Sequence, residues 1–121
     1  MFTFKSPANN RTVWKLCFRD RKEMDKIFYE GRTPDDGTRI HGITEYISST
    51  VYIDKDIDGY LLAKTLRHEL THIYLWETGQ QSRVLNEEET CDLLSVASPL
   101  ICKCADDIIF RLKEATYKNG E

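Results

Sequence analysis

Apolar and polar positions along the chain fall into alternating and helical blocks. Thr12 to Arg19, "TVWKLCFR", alternates apolar and polar residues and is rich in β-formers, which predicts a strand. "DRKEMDKIFYEG" follows, with Asp20 placed as an N-cap and Gly31 as a stop, so a short helix is expected. Arg32 to Arg39, "RTPDDGTR", is turn chemistry. "IHGITEYISSTVYIDKDI" reads as two strands joined by a polar connection near Ser48 and Ser49. The strongest helix is "DIDGYLLAKTLRHELTHIYLWETG", capped by Asp58 or a neighbour and ended by Gly79.

"QQSRVLNEEETCDLLSVAS" opens as a polar loop. Asn86 is a good N-cap, and Glu87, Glu88 and Glu89 suit the positive end of a helix. Pro99 either starts a new helix after Ser98 or kinks a long one. "LICKCADDIIFRLKEATYKNG" continues as an amphipathic helix to Lys118. The expected order is β-α-β-β-α-α-α, an α+β domain with a small antiparallel sheet against helices.

A length of 121 residues points to one domain with one core. Apolar content of 40% and charged content of 31% are ordinary for a globular protein. A net charge of -3 leaves no basic footprint, so no nucleic-acid partner is expected. The apolar runs are too short to span a membrane, and none is expected as a partner. The start, "MFTFKSPANN", lacks the apolar h-region of a signal peptide, so a cytoplasmic location is the expectation. Cys17, Cys91, Cys102 and Cys104 are then expected to be reduced. Cys102 and Cys104 form C-x-C rather than C-x-x-C, and residues two apart on a helix do not face each other. Plain buried or half-buried thiols are expected.

The chemistry concentrates in "HELTH", His68 to His72. At 100° per residue, Leu62, Leu66, Leu70 and Ile73 form an apolar stripe, and Lys64, Arg67, Thr71 and Tyr74 form the expected water-facing side. His68 and His72 share a third face with Leu61 and Leu75. Their Cβ atoms should lie ~5–6 Å apart, close enough for both imidazoles to converge on one ion. Glu69 points away from that face. It is poorly placed as a ligand, yet it can reach a metal-bound water, where hydrolysis needs a base. Two histidines that merely flank a core would share this spacing. By composition, however, H-E-x-x-H should arise in fewer than about one in a hundred chains of this size, and here it falls on the best helix.

A catalytic zinc takes three protein ligands and keeps one position open. His41 has no motif around it and reads as a surface or strand residue. In "NEEETCD", Glu88, Cys91, Asp92 and Ser95 share a helical face. Glu88 is the expected third ligand, with Glu89 next. Asp92, one turn on, can accept a hydrogen bond from the spare ring nitrogen of a ligand histidine. Cys91 and Ser95 are small enough to let two helices approach. At least two of Glu87, Glu88 and Glu89 should do no more than favour the helix start.

HELTH followed by E-x-x-C-D resembles the gluzincin branch of zinc peptidases, in which H-E-x-x-H is followed by E-x-x-small-Asp. The chain is most similar to the compact ImmA/IrrE-like metallopeptidases of bacteria, phages and mobile elements, small intracellular zincins whose best-known members cleave a partner repressor. The resemblance runs roughly from Thr50 to Pro99 and matches His68, Glu69, His72, Glu88 and Asp92. Cys91 stands where that family often has alanine, "SVASP" is a shortened version of its apolar stretch ending in proline, and no helix-turn-helix domain is attached.

The resemblance implies a minimal zincin-like fold. It also implies a zinc cofactor, a protein or peptide substrate such as a repressor, and a cleft edged by "STVYID", to which an extended peptide could add as a strand. Two imidazoles and a carboxylate favour zinc, though they also suit other divalent ions. In the peptidase reading, His68, His72 and Glu88 hold the ion and Glu69 is the general base. Tyr46, Tyr52, Tyr60 and His41 stand open as oxyanion donors. The alternative is a non-catalytic zincin-like metal-binding domain or phage accessory protein, motivated by the small size. The intact Glu69 argues against it, since a structural site needs no base.

Overall fold

A computed structural model describes residues 2–29 and 39–118. Its elements are β1 (Phe2–Lys5), β2 (Val13–Arg19), α1 (Arg21–Tyr29), β3 (Gly42–Glu45), β4 (Thr50–Asp54), α2 (Gly59–Glu77) and α3 (Glu87–Lys118). The fold is α+β, a small four-stranded sheet with three helices among the described residues. The expected stop at Gly31 and most of the turn after it lie outside the described residues.

The sheet is mixed, where an antiparallel one was expected. Its order is β1-β2-β4-β3, and β2 runs parallel to β4, with Leu16 opposite Val51 and Phe18 opposite Ile53. The chain leaves β2, passes through α1, and lays down β3 on the outside before β4 fills the gap beside β2. β4 is thereby a central strand. Val51, Ile53 and Asp54 are fully buried, as in strands covered on both faces. This corrects a second expectation: "STVYID" is paired on both sides and has no free edge, so β3 is the edge strand instead. Ser49, at φ 51, turns the chain between them in the left-handed region.

β1 was not foreseen. It pairs antiparallel with β2, placing Phe4 opposite Trp14. Its outer side lies under α3. The Arg111 guanidinium donates to the Thr3 carbonyl at 2.8 Å and stacks on the Phe2 ring at 4.2 Å. The Cys104 thiol donates to the Lys5 carbonyl at 3.6 Å, and burial pushes its pKa up to about 11.

The core joins Trp14 and Leu16 of β2 and Val51 and Ile53 of β4 to Leu66, Leu70 and Ile73 of α2. Each large side chain buried this way contributes ~1.5–3 kcal/mol. Trp14 also satisfies its polar edge, donating from Nε1 to Glu77 at 3.3 Å. α3 adds Ala97, Ile101, Ala105 and Ile108. It lies over the side of α2 expected to face water. Tyr74 is buried and Arg67 and Thr71 are half-buried, facing Leu93, Ala97 and Ile101. Periodicity marked that face as the more polar one, but a neighbouring helix covered it.

α3 is one helix of 32 residues running through Pro99, not two. Pro99 sits on the exposed side, while Ala97 and Ile101 are buried on either side of it, so packing keeps both halves in one rod. Its start is a capping box. Asn86 Oδ1 accepts the Glu89 N–H at 2.8 Å, and Glu89 Oε1 accepts the Asn86 N–H at 3.3 Å. Asp20 caps α1 through the Glu23 N–H at 2.8 Å. Asp58 stands at the N-cap of α2 without a side-chain bond, and Gly79, at φ 70, follows its end. All four cysteines are free thiols. Cys17 and Cys104 are half-buried as expected, but Cys91 and Cys102 are exposed because they fall outside the packed stripe of α3.

Candidate metal centre

α2 carries both histidines because it is pinned by the Leu66–Leu70–Ile73 stripe, which leaves the 68/72 face outward. His68 and His72 are exposed, with ring centroids 5.0 Å apart and planes at 76°. Glu69 turns the other way. It is only 5% exposed and sits between α2 and the edge strand β3. Its Oε1 accepts a hydrogen bond from the Thr44 hydroxyl at 2.8 Å, and its Oε2 lies 4.0 Å from His68 Nε2. The helix thus presents two imidazoles to solvent with a held carboxylate behind them.

β3 comes close enough for this only because of Gly42. A Cβ there would stand 2.8 Å from Glu69 Cγ, 2.8 Å from Thr65 Cγ2 and 2.9 Å from Glu69 Oε2. Gly42 and Thr44 are two apart and so face the same side of the strand. Neither was singled out from sequence. A glycine inside a strand pattern often marks close backbone approach, and that signal was present in "GITE".

The start of β3 is tied down by a buried carboxylate. Asp54 is 0% exposed and accepts from both Nε and Nη2 of Arg39, the latter at 2.7 Å, and from the Asp56 N–H at 3.0 Å. His41 Nδ1 lies 3.3 Å from the same carboxylate, and the Asp54 N–H donates to the His41 carbonyl at 2.9 Å. Burial alone would raise the Asp54 pKa, but Arg39, the Asp56 N–H and His41 outweigh it and the net shift is down. His41 is therefore a half-buried residue leading into β3. Its backbone bond also fixes the alternation of the β3–β4 ladder. The His41–Asp54 pair is hydrogen-bonded, so Gly42 and Thr44 turn their backbone groups to the side of β3 away from β4, where no described residue pairs with them.

Beyond the strand, the Tyr46 ring stacks on Trp76 of α2 with centroids 4.7 Å apart. Burial raises the Tyr46 pKa, a hydrogen bond to Gln81 opposes the rise, and the Glu69 charge adds to it. Tyr52 lies beneath Arg19, whose guanidinium is 5.7 Å from the ring centre. Tyr60 is 75% exposed on the first turn of α2.

Glu88 and Asp92 stand on the first turns of α3, both exposed. Glu89 is engaged elsewhere. Besides closing the capping box it pairs with Arg83 at 2.6 Å, and these contacts hold its pKa below the usual carboxylate range. The structure thus brings together His68, His72 and Glu69. It does not bring Glu88 to them, and among the described residues no group of three His, Cys, Asp or Glu side chains is placed to hold an ion. The two imidazoles fit a zinc ion in donor type and spacing, and the third ligand is not assembled. No family model, curated protein or solved structure matches the chain.

Proposed function

We propose that this chain is a zinc-dependent peptidase of the small ImmA/IrrE-like kind, hydrolysing peptide bonds in a specific protein partner. The observation that carries the reading is the division of labour within His68–His72. Two neighbouring imidazoles face solvent on one side of α2, and the glutamate between them is buried behind, held by a neighbouring strand. Two histidines with only a packing role would have no need of a carboxylate kept so carefully beside them.

His68 and His72 would hold the ion, with Glu88 closing on it from the start of α3. When bound, zinc acidifies its water and polarises the scissile carbonyl. Glu69 accepts the proton of the attacking water and delivers it to the leaving amine. Asp92 would orient a ligand imidazole by accepting its free N–H. Tyr46 suits the oxyanion better than the other three donors, because its ring stacks on Trp76, one turn beyond His72 on α2. An extended substrate segment would pair with the outward backbone groups of Gly42 and Thr44 on β3, which run alongside the buried Glu69.

The test is Glu69→Gln, which keeps size and shape but cannot take the proton. Zinc binding and fold should persist, while cleavage of a partner encoded in the same genetic neighbourhood should fall by ~10²–10⁴. Equal cleavage by both proteins would remove Glu69 as the base. Zinc binding by both with cleavage by neither would favour a non-catalytic metal-binding domain.

A further inference from the structure

Glu69 is 95% withdrawn from solvent on a 5% exposure, and a buried carboxylate needs donors. Among the described residues, the side-chain donor within hydrogen-bond distance of it is the Thr44 hydroxyl, 2.8 Å from Oε1 and 3.3 Å from the Glu69 carbonyl. The contact joins two elements that nothing else in the candidate centre links by a side-chain hydrogen bond. It also treats the two carboxylate oxygens differently. Oε1 accepts the strand's hydroxyl, while Oε2 packs beside Gly42 with no such bond and lies 4.0 Å from His68 Nε2. A general base works through one lone pair aimed at one proton, so which oxygen is tied back matters as much as where the carboxylate sits.

We propose that Thr44 is a positioning residue for the hydrolytic reaction: its hydroxyl anchors Oε1 of Glu69 to the edge strand and so keeps Oε2 on the side of His68. The inference rests on the reading of Glu69 as general base. It goes further in making the edge strand do two jobs. Outward, Thr44 offers its backbone to an added strand; inward, its side chain sets the base. A substrate segment pairing with β3 would thus rest on the residue that aims the proton acceptor, and binding and proton transfer would share one strand.

The experiment uses the full chain with Thr44→Val, which keeps the shape and removes the hydroxyl, and Thr44→Ser, which restores it. Zinc affinity of each, measured by competition with a chromophoric chelator, should stay at the parent value, since Thr44 is no ligand. Turnover of a cleaved partner protein should show kcat lowered about 10–100-fold in Thr44→Val with KM little changed, the size expected when a reacting group is misaimed by a fraction of an ångström. Thr44→Ser should recover most of that loss because it keeps the hydroxyl donor.

A second readout needs no turnover. Thr44→Val should lower the Tm of the parent clearly more than that of Glu69→Leu, where the hydroxyl keeps only its longer contact with the backbone carbonyl of residue 69. An equal Tm loss in both backgrounds would show that Thr44 does not hold Glu69, and would overturn the proposal. So would a Thr44→Val protein that keeps the parent kcat. A parent that binds zinc and cleaves nothing would instead overturn the peptidase reading, and the Tm comparison would still decide whether the Thr44–Glu69 bond exists.

Discussion

Gly42→Ala should be costly out of proportion to its size. The added Cβ would meet Glu69 Cγ and Thr65 Cγ2 at 2.8 Å and Glu69 Oε2 at 2.9 Å, where ordinary contact begins near 3.4 Å. Three contacts are thus short by about half an ångström, and overpacking of this kind costs ~1–3 kcal/mol. Against this, replacing glycine narrows the unfolded ensemble and returns ~0.4–1 kcal/mol. The steric term wins, and a net loss of ~1–2 kcal/mol remains, or roughly 4 °C in Tm per kcal/mol for a domain of this size. Two of the three clashing atoms belong to Glu69, whose side chain is the softest part of the site. The easiest relief is for the carboxylate to swing off the strand, and a shift of about 1 Å at a reacting group can cost ~10²-fold in turnover. Denaturant melts, zinc competition and partner cleavage should be run together. The expected pattern is a modest stability loss, intact zinc binding by the exposed histidines and a large fall in turnover. Parent stability and parent turnover in Gly42→Ala would refute the close approach of β3 to Glu69.

The remaining outcomes are more direct. About one zinc per chain should bind, as read by metal analysis, and should be lost in His72→Ala; full occupancy in a His68→Ala, His72→Ala double variant would sink the site. Glu88→Ala should weaken zinc far more than Glu87→Ala in chelator competition, and Asp92→Ala should weaken it ~10–100-fold. Glu89→Ala should act on stability instead, since Glu89 closes the α3 cap and pairs with Arg83. Asp54 should govern acid stability. Its pKa is lowered in the fold, so its contribution is complete above the unfolded value of about 3.9 and is lost as pH falls through the lowered folded value. Urea melts should show parent stability dropping in that acid range, with a flatter profile in Asp54→Asn.

Local chemistry was legible in this sequence, and partnership between elements was not. The stripe of Leu66, Leu70 and Ile73, the Asn86 cap and the β2, β3 and β4 strands each follow from the spacing of a few residues, and the structure places them as expected. The pairing of β2 with β4 does not follow from spacing, because a period of two identifies a strand without naming its neighbour. Tyr74 illustrates the same limit on a helix: its polar-looking side was covered by α3, and no pattern within α2 encodes that. β1 is four residues long, too short for its alternation to mark a strand. In the candidate site, His68, Glu69 and His72 could be named from their spacing. Thr44 and Gly42 could not, because their roles arise only when β3 lies beside α2.

The two margins of the sheet are unequal. On β1, the carbonyls of Thr3 and Lys5 already serve Arg111 and Cys104 of α3, so an arriving strand would find its acceptors taken. On β3, no backbone partner among the described residues takes the outward groups of Gly42 and Thr44. Fibrillar stacking requires every unit to be joined on both flanks, so that each addition leaves a fresh template behind it. A unit with one receptive flank would act as a chain terminator: it would pair once, with a guest segment or with a second copy, and growth would end there. Arg111→Ala, which frees the Thr3 carbonyl while Cys104 still holds that of Lys5, should make the β1 flank more receptive.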